Sequence, residues 1–106
     1  MISFNDFSKI ELKIGTVLEV EDVEGSEKLI KLMINLGEDQ PRQILAGVKQ
    51  WYKAEDFTVK QVIIVANLVP RMMMGLESQG MILATDADKP VMLKPSKKVP
   101  NGIKVR

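Results

Sequence analysis

The sequence predicts an all-β domain, an OB-fold Greek-key barrel of five or six strands with a short helical insertion between strands three and four. Three observations carry this expectation. Apolar or alternating runs of strand length recur at 10–23, 29–36, 42–46, 62–66, 80–85 and 91–93. Glycine-containing turn clusters separate the first of them, EGSEK at 24–28 and GEDQP at 37–41. Between the third and fourth runs lies GVKQWYKAEDFTVKQ, where Val48, Trp51, Tyr52 and Phe57 fall near helical spacing. A chain of 106 residues is the size of one domain with its own core, so residues 1–106 are read as a single barrel. An SH3-like barrel is the next-best arrangement.

Taken in order, residues 1–10 form a tab in which Asn5 or Asp6 offers an N-cap and Phe4 and Phe7 flank a short helical turn. Ile10 to Val23 alternates except for a slip around Gly15, which predicts a long strand with a bulge or bend there. Leu29 to Leu36 (LIKLMINL) reads as a strand buried on both faces, and Arg42 to Ala46 as the third. Trp51 is expected mainly in the core. The fourth strand is Val62 to Ala66, the fifth Gly80 to Thr85, and Val91 to Leu93 a short sixth. The tail, 94–106, carries five basic residues, with a tight turn at Asn101-Gly102. Val99, Ile103 and Val105 make it too apolar for a free arm. Tail and tab are therefore expected to pack on the body or on a second copy.

Composition narrows the chemistry. Hydrophobic residues are 45% and charged residues 27%, the balance of a folded soluble chain. The absence of cysteine and histidine excludes disulfides, thiolate metal sites, His-based triads and the usual neutral-pH proton shuttle. Ser26 and Ser78 therefore have no histidine to activate them, and no catalytic residue is assigned. The acids Glu19, Glu21, Asp22, Glu24 and Glu27 lack the spacing of a calcium loop and read as a solvated strand edge, so no metal or other cofactor is expected. GVK at 47–49 and GLESQG at 75–80 lack the Gly-rich Lys-Ser/Thr pattern of a phosphate loop. No apolar run reaches the roughly 18 residues of a membrane span and the N-terminus has no signal-like core, which predicts a cytoplasmic protein without a membrane partner.

Charge is distributed unevenly. Residues 1–40 carry four Lys against nine acids, 4 − 9 = −5, whereas residues 41–106 carry eleven bases against five acids, 11 − 5 = +6. The second part is the one suited to a polyanion. Within it VIIVANLVPRMMMGLESQGM, residues 62–81, passes from a buried strand into a loop with polar tips. Arg71 suits a phosphate, Met72 to Met74 and Met81 offer soft apolar surface, and Asn67, Ser78 and Gln79 offer amide or hydroxyl groups for base edges, the combination that holds looped RNA. Asn67 serves equally as a strand-end cap, and Met81 or one of the three methionines as core filling. Three consecutive methionines of an extended segment cannot all point inward, so at least one is exposed.

The blocks FNDFSKIELKIGTV, VEGSEKLIKL, LGEDQPRQILAG, VIIVANLVPR and GLESQGMILA together resemble the tRNA-binding domain found at the C-terminus of bacterial and archaeal methionyl-tRNA synthetases and as a free-standing bacterial protein. The resemblance covers nearly the whole chain. It implies an OB-fold that binds the outer side of tRNA by shape, in a homodimer joined outside the barrel core, acting alone or attached to methionyl-tRNA synthetase. It carries tRNA contact to Asn67, Arg71, Ser78 and Met81, with Lys28, Lys31, Arg42 and Lys49 in support. A chaperone-like, peptide-holding relative of the same fold is the alternative it implies. Two positions depart from the family pattern. VEGSEKL at 23–29 replaces a His-Pro-x-Ala-Asp-Lys-Leu block common in relatives, and Met72 stands where a Lys or Arg usually follows Pro-Arg.

Overall fold

The computed structural model describes residues 1–106. In chain order the elements are α1 (Phe4–Phe7), β1 (Leu12–Asp22), β2 (Ile30–Asn35), β3 (Arg42–Ala46), α2 (Ala54–Phe57), β4 (Gln61–Val65), β5 (Arg71–Met73), β6 (Leu76–Ser78), β7 (Met81–Ile82) and β8 (Lys104–Val105). The main sheet is antiparallel and runs β3-β2-β1-β4-β7, with β8 added to the start of β1. This is the nearly closed barrel that the sequence predicts, with α2 between β3 and β4.

The core is built from one face of each strand. Ile30, Leu32 and Ile34 of β2 are buried while Lys31, Met33 and Asn35 between them are half-buried, so this strand alternates and the expectation of burial on both faces is corrected. These residues meet Val17, Ile44 and Ile64 inside the barrel. Each such side chain taken from water stabilises the fold by about 1.5–3 kcal/mol. Phe57 of α2 closes one end of the cluster, and Tyr52 lies against it with ring centroids 5.1 Å apart and its hydroxyl donating to the Pro90 carbonyl at 2.6 Å. Trp51 is 39% exposed, contrary to the core position expected of it. The chain turns at Val48, whose carbonyl accepts from both Trp51 N–H and Tyr52 N–H, and Tyr52 is the ring that packs on the core cluster.

Gly15 is not the bulge. It has no left-handed φ, and a Cβ there would stand 2.6 Å from Ile34 Cγ2 and 2.9 Å from the Asn35 carbonyl oxygen, so its role is close approach inside the barrel. The register slips instead between Val17 and Glu19, leaving Leu18 as the extra residue. Next to Gly15, Thr16 pairs with both Asn35 of β2 and Gln61 of β4, which is where β1 passes from one partner to the other. The fifth strand shrinks to Met81–Ile82 and the sixth to a single bridge between Ala84 and Met92. Pro90, with no N–H to donate, sits at the start of that sixth segment.

The two ends of the chain differ: the N-terminal tab stays exposed, and the tail docks on β1. Ser3, rather than Asn5 or Asp6, caps α1, its Oγ accepting from Asp6 N–H at 3.1 Å while the Asp6 carboxylate accepts from Ser3 N–H at 3.5 Å. The tail packs on the body. Gly102 N–H donates to the Ile14 carbonyl at 2.7 Å and Ile14 N–H to the Ile103 carbonyl at 3.1 Å. The Gln61 amide grips Val99 in both directions, donating to its carbonyl at 2.7 Å and accepting from its N–H at 3.1 Å.

Candidate nucleic-acid interface

The segment after β4 holds a hairpin that the sequence reading takes as a loop. Arg71 pairs with Ser78, Met72 with Glu77 and Met73 with Leu76, around a turn in which Met74 and Gly75 have φ of 51° and 78°. Two left-handed residues are what a tight hairpin turn requires, but Met-Gly lacks the Asn-Gly signature that would reveal it. The strand period then separates the methionines. Met73 is half-buried, while Met72 and Met74 are exposed.

The hairpin closes the barrel. The free edge of β3 presents backbone N–H groups that need acceptors. Leu45 N–H finds the Ser78 hydroxyl at 3.0 Å, and Gln43 N–H finds the Gln79 side-chain oxygen at 2.9 Å. Gln79 N–H donates in turn to the Gln43 carbonyl at 2.8 Å. The Ser78 proton goes to the Gly80 carbonyl at 3.0 Å, so this 4% exposed hydroxyl is occupied within the fold. Asn67 is similarly engaged. Its Oδ1 accepts from Glu11 N–H at 2.8 Å and its Nδ2 donates to the Lys9 carbonyl at 2.7 Å, tying the tab to the end of β4. That leaves one amide proton and one lone pair for a ligand.

Beside this seam lies a groove of about 580 Å³ in which 11 of 15 lining residues are hydrophobic. Arg71, Ser78 and Met81 all line it, together with Leu68, Val69 and Met73; Asn67 stands next to Leu68 but outside the lining. Arg71 is exposed and has no acidic partner, so its full charge faces solvent at the groove. The apolar residues Leu68 and Val69 are missing from the sequence reading of the site. Their signal is an apolar pair between Asn67 and Pro70, where Val69 is 88% exposed.

The supporting cations do not converge on the groove. Lys28 is exposed and its backbone carbonyl accepts from Lys49 N–H at 3.1 Å, which puts both beside the lining residues Leu29 and Val48. Lys49 also donates to the Ser26 carbonyl at 3.2 Å, with Asp22 at 3.9 Å. Lys31 pairs with Glu21 across β1 and β2 at 2.9 Å. Arg42 donates to both Glu38 carboxylate oxygens at 2.8 Å, to the Gln79 carbonyl at 3.1 Å and to the Ala66 carbonyl. Those hydrogen bonds hold the Glu38 carboxyl below the ordinary carboxylate range against the opposing effect of burial, and raise the guanidinium still higher. No group of three or more His, Cys, Asp or Glu is placed to hold a metal, and no helix is long and apolar enough to cross a membrane.

Comparison with known proteins places this geometry. A methionine–tRNA ligase from Methanocella arvoryzae is 47% identical over 105 residues, 99% of this chain and 15% of the ligase. A second, from Pyrococcus furiosus, is 45% identical over 99% of this chain and 14% of the ligase. The chain thus spans about one seventh of the length of these curated relatives. Among solved structures, a MetRS related protein from Pyrococcus horikoshii superposes with a TM-score of 0.93 at 30% identity, covering 100% of this chain and 98% of that one. The chaperone CsaA from Bacillus anthracis superposes at 0.91 with 33% identity, covering 100% and 99%. Residues 12–104 match the family model described as a putative tRNA binding domain, and the chain belongs to that family.

Proposed function

We propose that this domain is a non-catalytic, shape-selective tRNA-binding module of the cytoplasm, raising tRNA affinity either on its own or as the C-terminal domain of a methionyl-tRNA synthetase. The observation that carries the reading is the unpaired Arg71 beside an apolar groove in a chain of the tRNA-binding family. Arg71 takes a backbone phosphate, Met81 lies under a base or ribose, and Asn67 uses its spare proton and lone pair. Ser78 acts indirectly, by fixing the hairpin that presents Arg71. Lys28 and Lys49 add charge at the rim, and Lys31 contributes less because Glu21 neutralises it. Arg71→Ala is expected to weaken tRNA binding about tenfold and to lower the slope of log K against log salt by about 0.7–0.9, one phosphate. A gel shift or anisotropy titration over a salt series reads both. Unchanged affinity and slope would place the interface elsewhere.

A second reading has its own support. The groove is mostly apolar, and the domain is 33% identical to a protein named as a chaperone. Under that reading an unfolded peptide occupies the groove, and excess tRNA displaces it only if both ligands use the same surface.

The working unit is proposed to be a homodimer. No residue of α1 is buried, and Ile2 and Phe4 are 70% and 79% exposed, which is costly for apolar side chains on a free protomer. The β8 pairing of Leu12 with Val105 brings the tail beside the residues that follow the tab. Because Ile2 and Phe4 are exposed on the protomer, an Ile2→Asp/Phe4→Asp protein should keep the parent's folded spectrum yet sediment at half the mass at micromolar concentration, melting lower only by what association contributed. A monomeric parent, or a variant of undiminished mass, rejects this interface.

A further inference from the structure

Apart from the groove is a second cavity, a cleft of about 540 Å³ that shares none of the groove's lining residues. Four of its lining residues are lysines, Lys60, Lys94, Lys97 and Lys98, and none is an acid. All four are exposed, and none takes part in an ion pair. Four cations without an internal counterion raise the local potential and draw an anion from solution.

The backbone under these lysines is fixed. Gln61 clamps Val99, the Thr16 hydroxyl donates to Asn101 Oδ1 at 2.7 Å, and Gly102 and Ile103 continue onto β1, so Lys94, Lys97 and Lys98 sit on a docked segment. Lys60 is held from the other side. Val59 adopts a φ of 60°, costly for a β-branched residue, and is locked there by its N–H donating to the Val17 carbonyl at 2.8 Å while Val17 N–H donates to the Lys60 carbonyl at 3.0 Å. A strained residue kept at the cleft, 78% exposed and without core packing to reward it, indicates that the position of Lys60 matters.

The two cavities stand at opposite ends of the same strand. Leu29, just before β2, lines the groove, and Asn35, the last residue of β2, lines the cleft. Leu29 and Asn35 stand roughly 20 Å apart along the strand, while Met92 of the groove lies two positions before Lys94 of the cleft, so the two linings adjoin at one point and reach that span at another. A polynucleotide carries a charge every few ångströms and bridges such a span, whereas a small anion fills only one end.

We infer that the lysine cleft is a second RNA-backbone site, taking two or more phosphates of the same nucleic acid that Arg71 meets at the groove. The inference rests on the tRNA-binding reading and extends it to a second surface. The test compares the parent, Lys60→Gln/Lys94→Gln/Lys97→Gln/Lys98→Gln and Arg71→Ala in tRNA titrations over a salt series. Exposed lysines without partners leave the fold unaffected, so the quadruple variant should keep the parent's melting temperature. Its affinity near 0.1 M salt should fall roughly tenfold or more, and its salt slope by about 1.4 or more, against about 0.7–0.9 for Arg71→Ala. Amide shifts at Thr16, Gln61 and Asn101 on adding tRNA to the parent should vanish in the quadruple variant. A quadruple variant with the parent's slope and affinity, alongside a weakened Arg71→Ala, overturns the cleft and leaves the groove standing. Loss in the quadruple variant alone supports the cleft and relocates the main site. A parent that binds no tRNA overturns both, and lysine-dependent binding to anionic lipid vesicles without tRNA binding overturns the cleft as an RNA site.

Discussion

Gly102→Ala is expected to destabilise the fold by about 3 kcal/mol, lowering the melting temperature by roughly 12–20 °C. Two effects add. The residue has a φ of 85°, a conformation that costs an L-residue about 1–2 kcal/mol. A Cβ there would also collide with the Leu36 carbonyl oxygen, and 3.6 Å away is the Cα of Gly37, itself at a φ of 75°. The obstacle is backbone on both sides, so no side chain can swing away and β8 must lift from β1. Gly75 provides the control. Its φ is 78° but nothing lies within 4 Å of a Cβ built on it, so Gly75→Ala should lose only the backbone part, about 1–2 kcal/mol. If thermal or urea unfolding gives the two variants equal losses, the tail does not dock as described. Faster amide exchange at Ile14 and Ile103, whose hydrogen bond depends on that docking, should accompany the Gly102 loss.

How much of this was legible beforehand depended on whether a feature is local. The barrel strands were visible because alternation and turn residues are properties of contiguous sequence. Ile30, Leu32 and Ile34 declare their face without help from the rest of the chain. The β5-β6 hairpin was not visible, because its three-residue strands are too short for a period and its turn is Met74-Gly75. Trp51 was misplaced for a related reason: with only five aromatics in the chain it was expected in the core, but the turn at Val48 lets Tyr52 take the inward position. The roles of Ser78, Asn67 and Arg42 lie further out of reach. Their polar atoms are bound to Leu45, Glu11 and Ala66, at separations of 33, 56 and 24 residues, and a residue type cannot reveal partners so distant. The lysine cleft unites Lys60 with a tail more than thirty positions later. Only the excess of base over acid in residues 41–106 hinted at it.

Arg42→Ala should cost about 2–3 kcal/mol of stability while leaving the salt slope of tRNA binding at the parent's value. The Arg42 side chain is 23% exposed and all its guanidinium bonds are internal: Glu38 through Nε and Nη2, and the Gln79 and Ala66 carbonyls through Nη1. It thereby joins the start of β3 to the end of β4 and to the residue after β6, the seam on which the groove depends. Charged hydrogen bonds to the two carbonyls account for most of the loss, about 1–1.5 kcal/mol each, and the partly exposed Glu38 pair for little. Arg42→Lys should recover little of it, since a single ammonium cannot span a carboxylate and two carbonyls at once. A residue that contacted phosphate would do the reverse, changing the slope by about 0.7–0.9 with little effect on melting, and that outcome would return Arg42 to the RNA interface. Acid titration gives an independent reading. The folded Glu38 carboxyl is depressed, first by its hydrogen bonds to Arg42 and then by the charges of Arg42 and Lys13, with burial opposing. Its contribution to stability is therefore complete above the unfolded carboxylate value near 4.5 and is lost as pH falls through the lower folded value. Once Arg42 is gone the largest causes of that depression are lost, so the stability gap between parent and Arg42→Ala should narrow as pH drops below about 4.5. A gap that stays constant down to pH 3 would mean that the carbonyl bonds alone hold the seam.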